Sequence, residues 1–200
     1  MIPVVGIVGG IGSGKSAAAL VMQSLGGHLV VADALGHAAL RQPDILTQLI
    51  DRWGPGILNA AGEAERRHIG HIVFADEWEL HALEALVFPF IDQRIREEIE
   101  RANAGTAAKF VILDAAILFE TGWDRHCDKV VFIDSPRELR LARVAQSRGW
   151  DEAELARRES RQLPIAKKQA RSHAVIVNAD DFVKLEKAVK DTLVRLRIIC

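Results

Sequence analysis

Only two cysteines, Cys127 and Cys200, occur in 200 residues, and they lie far apart in sequence. They cannot supply a disulfide framework. No apolar run approaches the length that crosses a bilayer. The N-terminus passes into an apolar strand with no basic segment and cleavage site, so a soluble cytoplasmic chain is expected. Charge of one sign is lacking too: 26 Lys+Arg face 27 Asp+Glu. That removes the global basic field of a nucleic-acid binder. Of the seven histidines, His68 and His71 are three apart on a predicted helix. No H-E-x-x-H pattern or cysteine partner accompanies them, so a structural zinc site is not expected. Cys127 beside His126 reads as packing. Internal repeats and low-complexity segments are missing as well.

What is present is a globular composition, 49% hydrophobic and 26% charged, long enough for one domain or a core with a modest insertion. Residues 4–20 organise it. Val4, Val5, Ile7 and Val8 read as a buried strand, a glycine-rich turn follows, and an alanine-rich helix starts after it. Residues 9–16, Gly9, Gly10, Ile11, Gly12, Ser13, Gly14, Lys15 and Ser16, match G-x-x-x-x-G-K-[ST] at every fixed position and in the strand–loop–helix context. Glycines let successive backbone N–H groups converge on phosphate oxygens, and the helix N-terminus adds partial positive charge. Lys15 is placed to reach the β/γ-phosphates and Ser16 to ligate Mg²⁺. A plain strand-to-helix turn fits less well, as does a dinucleotide pattern on Gly12, Gly14 and Ala17 with Asp33 beyond it. Neither requires the Lys-Ser pair. A nucleoside triphosphate is the expected ligand.

Further on, residues 28–32 read as a second strand ending in Asp33, then a helix over 34–40. In parallel α/β sheets the strands' C-terminal ends form the ligand crevice, which suits Asp33, although Asp also suits a helix N-cap. Residues 43–105 show helical stripes, Ile45, Leu46, Leu49 and Ile50, then Leu80, Leu83, Leu86 and Val87, separated by turns at 53–56 and 59–62. No buried strand is evident there. A third strand, 110–113, ends in Asp114, a carboxylate placed to hold Mg²⁺ directly or through water. A fourth, 129–133, precedes Asp134-Ser135-Pro136, a helix start. Arginines then crowd the chain from Arg137 to Arg171. Arg140 and Arg143 share a helix face, and Asp151 with Glu154 has capping-box spacing. One reading is a solvated face balanced by Glu152, Glu154 and Glu159. The other, preferred here, is a lid whose Arg140 and Arg143 close over the phosphates. A fifth strand, 174–177, and a closing helix with the stripe Phe182, Leu185, Val189, Leu193 and Leu196 end the chain.

The fold class is therefore α/β: a P-loop NTPase-type parallel sheet of about five strands flanked by helices, with a helical substrate-binding insertion and an Arg-rich lid. The expected core comprises residues 1–42, 106–135 and 173–200, the acceptor domain 43–105, and the lid 136–172.

With these pieces in place, residues 4–178 resemble the dephospho-coenzyme A kinases. The resemblance rests on the loop 9–16 and on Ala32-Asp33. It continues through Trp53-Gly54, Ile57-Leu58, Gly62, Arg66 and Ile72-Val73-Phe74, then Leu83-Glu84 and Pro89. Residues 118–122, Leu-Phe-Glu-Thr-Gly, are among its more specific parts, and Gln162-Leu163-Pro164, Lys168 and Asn178 close it. The chain departs from the usual pattern at Ala17, Val31, Phe88, Ala115-Ala116 and Arg140, the last standing at a usual Gln position. Arg148 also comes one residue later than the lid arginine of the pattern.

The resemblance implies transfer of the ATP γ-phosphoryl group to the ribose 3′-hydroxyl of dephospho-CoA, with ATP as co-substrate and Mg²⁺ as cofactor. It implies Asp33 as the base, Asn178 near the adenine, and Arg66, Leu118 and Glu120 on the acceptor side. The expected partners are these two small molecules, with no nucleic acid or membrane, in a monomer or weak homo-oligomer. Two other readings stay open at this point: a P-loop kinase of another nucleoside or nucleotide, and a degenerate ATP-binding homologue.

Overall fold

The order of strands in the sheet follows from which of them can bear burial on both faces. In a computed structural model that describes residues 1–105 and 107–200, all six residues of β1 (Val4–Gly9) are buried. That strand is central in a five-stranded sheet with β2 (Gly27–Val31), β3 (Phe110–Asp114), β4 (Lys129–Asp134) and β5 (Ala174–Val177). The order is β2-β3-β1-β4-β5, and every pairing is parallel. Apolar β-branched runs of this kind suit a sheet covered by helices on both faces.

The chain divides into two units, Met1–Val31 with Arg96–Cys200, and Ala32–Ile95. In the first, α1 (Lys15–Ser24) buries Ala18, Ala19, Val21 and Met22. With Leu185, Val189 and Leu193 of α9 (Phe182–Arg195) they join Val5, Ile7, Ile112, Val131 and Ile133 in one core cluster. Each fully buried aliphatic side chain there contributes roughly 1.5–3 kcal/mol relative to exposure. Phe182, expected in the buried stripe, is 57% exposed, because it opens α9 immediately after the cap Asp181, whose carboxylate accepts from Lys184 N.

The arginine-rich stretch folds as α6 (Arg137–Arg148), α7 (Glu152–Glu159) and α8 (Ile165–Ala170). Asp151 caps α7 by accepting from Glu154 N at 2.8 Å, while the Glu154 carboxylate turns to Arg157 and Arg158. At the α6–α7 corner the guanidiniums of Arg148 and Arg158 lie over the Trp150 ring, 4.7 and 4.1 Å from its centroid.

In the second unit, α2 (Ala32–Ala39), α3 (Pro43–Trp53) and α4 (Arg66–Ala75) precede α5 (Glu77–Ala104). Ile45, Leu49, Ile57, Ile69, Val73, Val87 and Ile91 are buried. The expected turn at 59–62 is built on Asn59, whose side-chain oxygen accepts from Ala61 N and Glu63 N.

The boundaries differ from the expected 43–105. The second strand stops at Val31 and the alanine-rich stretch that follows coils at once, so α2 falls in the helical unit. At the other end α5 runs on without a break. Its last turns fall in the sheet unit, where Ala102 is buried, Asn103 Oδ1 accepts from Ile2 N at 2.8 Å, and Glu98 meets His28 at 2.9 Å. Residues 136–172 also lie in the sheet unit rather than apart from it. The boundary expected at residue 106 falls on the one position outside the described residues. No helix among the described residues is long and apolar enough to cross a membrane.

Candidate active site

The loop between β1 and α1 is shaped by two left-handed glycines. Gly12 has φ +78° and Gly14 φ +87°. At Gly12 an added Cβ would stand 2.7 Å from the Arg140 carbonyl oxygen, so conformation and space both demand glycine. Gly14 caps α1 without a side-chain bond, and the first turn carries no acidic residue, so the positive end of the helix dipole is left for an anion. Ser13 N donates to Gly10 O at 3.0 Å, closing the turn.

The loop carbonyls are held from behind. Arg140 Nη1 donates to Ile11 O at 3.2 Å. Arg143 Nη1 donates to Gly12 O and Ser13 O, each at 3.3 Å, and Asn178 Nδ2 to Ser13 O at 2.8 Å. In a planar trans peptide the N–H points opposite to the C=O. The amides of Gly12 and Gly14 are therefore directed away from this brace.

Lys15 Nζ stands 3.6 Å from Asp114 Oδ1, with side chains 18% and 12% exposed. The sheet register explains the meeting: Asp114 ends β3 directly beside Ile7 of β1. Ser16 is exposed on the first turn of α1, whereas Ala17 packs against the core cluster. Ser13 Oγ is buried and has no hydrogen-bond partner among the described residues.

The lid arginines of the sequence reading are thus tied down. Arg140 is 5% exposed and also donates to Ser135 O at 3.2 Å. Its Nη1 pairs with Glu159, which takes Arg137 Nη1 at 2.8 Å on its other oxygen. Burial pushes the Glu159 carboxyl upward, but the hydrogen bonds from Arg140 and Arg137 outweigh it and hold the group below its ordinary range. Arg143 reaches Ser135 Oγ at 2.9 Å and Asn178 O at 3.3 Å.

Glu120 and Leu118, expected at the acceptor, are committed elsewhere. Leu118 is fully buried, with Cδ2 in the space that a side chain at Gly6 would take. Glu120 accepts from Leu163 N at 2.7 Å and pairs with Lys168 Nζ at 2.9 Å. Lys168, 1% exposed, also donates to Ala116 O and Gln162 Oε1. Burial lowers its pKa, against the opposing pull of Glu120.

In the helical unit, Asp33 lies in the first turn of α2, two residues beyond β2, and is exposed. It is a first-turn acid and not the cap. Arg66 opens α4 and lines a small cavity of about 130 Å³ with His37, Leu40, Arg41, Glu63 and Ala64. Burial, and then the Arg66 charge, hold His37 below its ordinary pKa.

Among the described residues no three His, Cys, Asp or Glu side chains form a group able to hold a metal. Cys127 is inert, its thiol pushed up to about 12 by burial. Sequence reasoning missed Ser135 and Glu159 as parts of the site. In the sequence Ser135 reads only as a helix start and Glu159 as a surface counter-charge. Glu159 meets Arg140 across 19 residues and Ser135 Oγ donates to Asn178 O across 43, separations that no local spacing marks.

A central strand running into this loop, with Lys15 opening α1 and Asp114 ending the neighbouring strand β3, defines the P-loop kinase class. Likeness in fold extends to a shikimate kinase from Bacteroides thetaiotaomicron, at TM-score 0.51 and 14% identity over 98% of this chain and 99% of that one. Within the class, the family model for dephospho-CoA kinase matches residues 3–183. A dephospho-CoA kinase of Geobacillus kaustophilus is 37% identical over 175 residues, 87% of each chain. One from Thermus thermophilus is 33% identical over 96% of this chain and 91% of its own. The crystal structure of TT1252 from Thermus thermophilus superposes at TM-score 0.80 with 33% identity, covering 98% of each chain. The chain belongs to the dephospho-CoA kinase family.

Proposed function

We propose that the chain transfers the γ-phosphoryl group of ATP to the ribose 3′-hydroxyl of dephospho-CoA, with Asp33 taking or orienting the hydroxyl proton. ATP-dependent phosphorylation of dephospho-CoA is the family's reaction; the resemblance implies Asp33 as the base, and a carboxylate has the chemistry for that role. The observation that carries the reading is the Lys15–Asp114 approach beside a loop whose carbonyls are braced from behind.

Phosphoryl transfer requires positioning and charge neutralisation more than covalent help. Loop amides and Lys15 hold the β/γ-phosphates. A phosphate oxygen is also a partner of the right chemistry for Ser13 Oγ, since a buried hydroxyl without one costs about 1–3 kcal/mol. The acceptor oxygen attacks the γ-phosphorus, the bond to the β-bridging oxygen breaks, ADP leaves, and the hydroxyl proton passes to the Asp33 carboxylate.

Ser16 and Asp114 fit Mg²⁺: one exposed hydroxyl and one carboxylate, with no all-protein cage among the described residues, suit an ion that keeps waters and phosphate oxygens. When bound, Mg²⁺ neutralises charge on the β- and γ-phosphates. Arg66, with Arg41 and His37 around the same cavity, binds anionic parts of the acceptor. Leu118 and Glu120 fall to the acceptor side by resemblance only, since their side chains are already committed. Asn178, given to the adenine by resemblance, serves the nucleotide end through the Ser13 carbonyl. We place the protein in the cytoplasm as a monomer or weak homo-oligomer, which sedimentation at two concentrations checks.

The test is to mix purified protein with Mg·ATP and dephospho-CoA and follow ADP release and CoA mass together. Stoichiometric CoA and ADP, absent without the acceptor, is the expected result. ATP bound with no CoA formed would overturn the reading.

A further inference from the structure

Phosphate-binding loops need their carbonyls held as firmly as their amides are aimed, because each peptide turns as one plane. In this chain the Ile11 peptide is gripped by a cation that is itself gripped. Arg140 is 5% exposed. Its Nε donates to Ser135 O and its Nη1 to Ile11 O, each at 3.2 Å, and the same Nη1 pairs with Glu159. Glu159 is in turn held by Arg137. A side chain at Gly10 would place its Cβ 2.9 Å from Arg140 Nη1, so the guanidinium and the loop backbone lie in close apposition.

We propose that Arg140 is a positioning residue which fixes the phosphate loop through the Ile11 carbonyl without touching the nucleotide, and that Glu159 on α7 is the counter-charge that keeps it there. Two features carry this beyond a lid arginine closing on phosphate. The Arg140 donors Nε and Nη1 are already spent on a backbone carbonyl, a loop carbonyl and a carboxylate. A buried guanidinium paired with a carboxylate is also poorly placed to swing out, because removing one partner strands the other.

The two roles differ in what they do to ADP. A γ-phosphate contact is lost by ATP alone, whereas a slackened loop weakens ATP and ADP alike, since both use the α- and β-phosphate cradle. The experiment titrates Mg·ATP and ADP calorimetrically into the wild-type chain, Arg140→Gln, Glu159→Gln and the double variant. The expected result for Arg140→Gln is an equal loss for both nucleotides, roughly tenfold, the scale of one charge-assisted hydrogen bond. For Glu159→Gln it is roughly threefold. The double variant is expected to be no weaker than Arg140→Gln, because the two side chains act as one unit, and the acceptor KM is expected to stay at the wild-type value.

A loss confined to ATP would overturn the proposal, as would tighter ATP binding by Glu159→Gln, which would mean that a released Arg140 reaches the phosphates. A lower melting temperature with unchanged affinities would reduce the pair to ordinary scaffolding and overturn it too. Should Arg140→Gln not fold, Glu159→Gln gives the same discrimination, since that carboxylate is 18% exposed and its loss is milder. The inference rests on the kinase reading above but fails separately from it: turnover with dephospho-CoA tests that reading, while the ATP-to-ADP affinity ratio tests this one.

Discussion

The two units solve the recognition of phosphorylated molecules by different means. In the sheet unit the candidate phosphate site is backbone: left-handed glycines, open amides at a helix start, and carbonyls held by Arg140, Arg143 and Asn178. Its charged groups, from buried Arg140 to half-buried Lys15, Asp114, Arg143 and Glu159, are mutually engaged. In the helical unit the candidate acceptor groups are half-buried or exposed side chains: Asp33 in the first turn of α2, and His37, Arg41 and Arg66 around a small cavity. Backbone recognition tolerates little change of conformation, while side-chain recognition can be retuned one residue at a time. The difference teaches where variation is affordable.

Substitutions can break that contrast. The largest effect is expected for Asp33→Asn: turnover should fall about 10²–10⁴-fold, the usual worth of a positioned general base, with ATP affinity kept. Coupled ADP-release kinetics beside ATP titration checks this, and near-normal turnover would remove Asp33 as the base. Lys15→Ala should lower kcat/KM about 10²–10³-fold, on the scale of losing one preorganised electrostatic contact to developing charge, together with most ATP affinity. Unchanged ATP affinity would count against the phosphate reading of the loop. Arg66→Ala should raise the acceptor KM roughly tenfold, the loss of one charge-assisted contact, while ATP affinity holds; a drop in ATP affinity instead would erase the division of labour between the units.

The smallest effect concerns His37. Its folded pKa is held below 6.5 by burial and by Arg66. As pH falls from about 6.5 towards the folded value, the unfolded chain takes up a proton that the folded chain refuses, so stability declines. His37→Asn should therefore show a shallower fall in melting temperature between about pH 7.5 and pH 5.5. Parallel curves would reject it.

The same contrast decides how much could be read from the sequence. Residues 9–16 announced their ligand because a backbone site needs particular residues at fixed local spacing. The five strands were legible as apolar runs, and Asp114 as an acid ending one of them. What escaped was long-range. The grip of Arg140 on Ile11 spans 129 positions and that of Asn178 on Ser13 spans 165; neither leaves a periodic trace. Asp33 could not be assigned between a crevice carboxylate and a helix N-cap, because the cap position turns on whether the helix begins at residue 32 or two positions later. The length of α5 is not legible either: the apolar stripe ends at Val87, and Pro89 argues for a break that the surrounding helix formers override.

The corner where Arg148 and Arg158 lie over Trp150 also gives the molecule a built-in optical gauge. The chain contains no tyrosine, so emission excited at wavelengths too long for phenylalanine comes from its four indoles. Trp123 is buried and Trp78 lies 80% in solvent, while Trp53 donates through Nε1 to Glu79. Trp150 is the indole whose ring faces two guanidiniums, one from α6 and one from α7. Any parting of those helices would change its colour and brightness, and replacing the other three indoles with phenylalanine would turn that corner into a single-residue reporter of the α6–α7 packing.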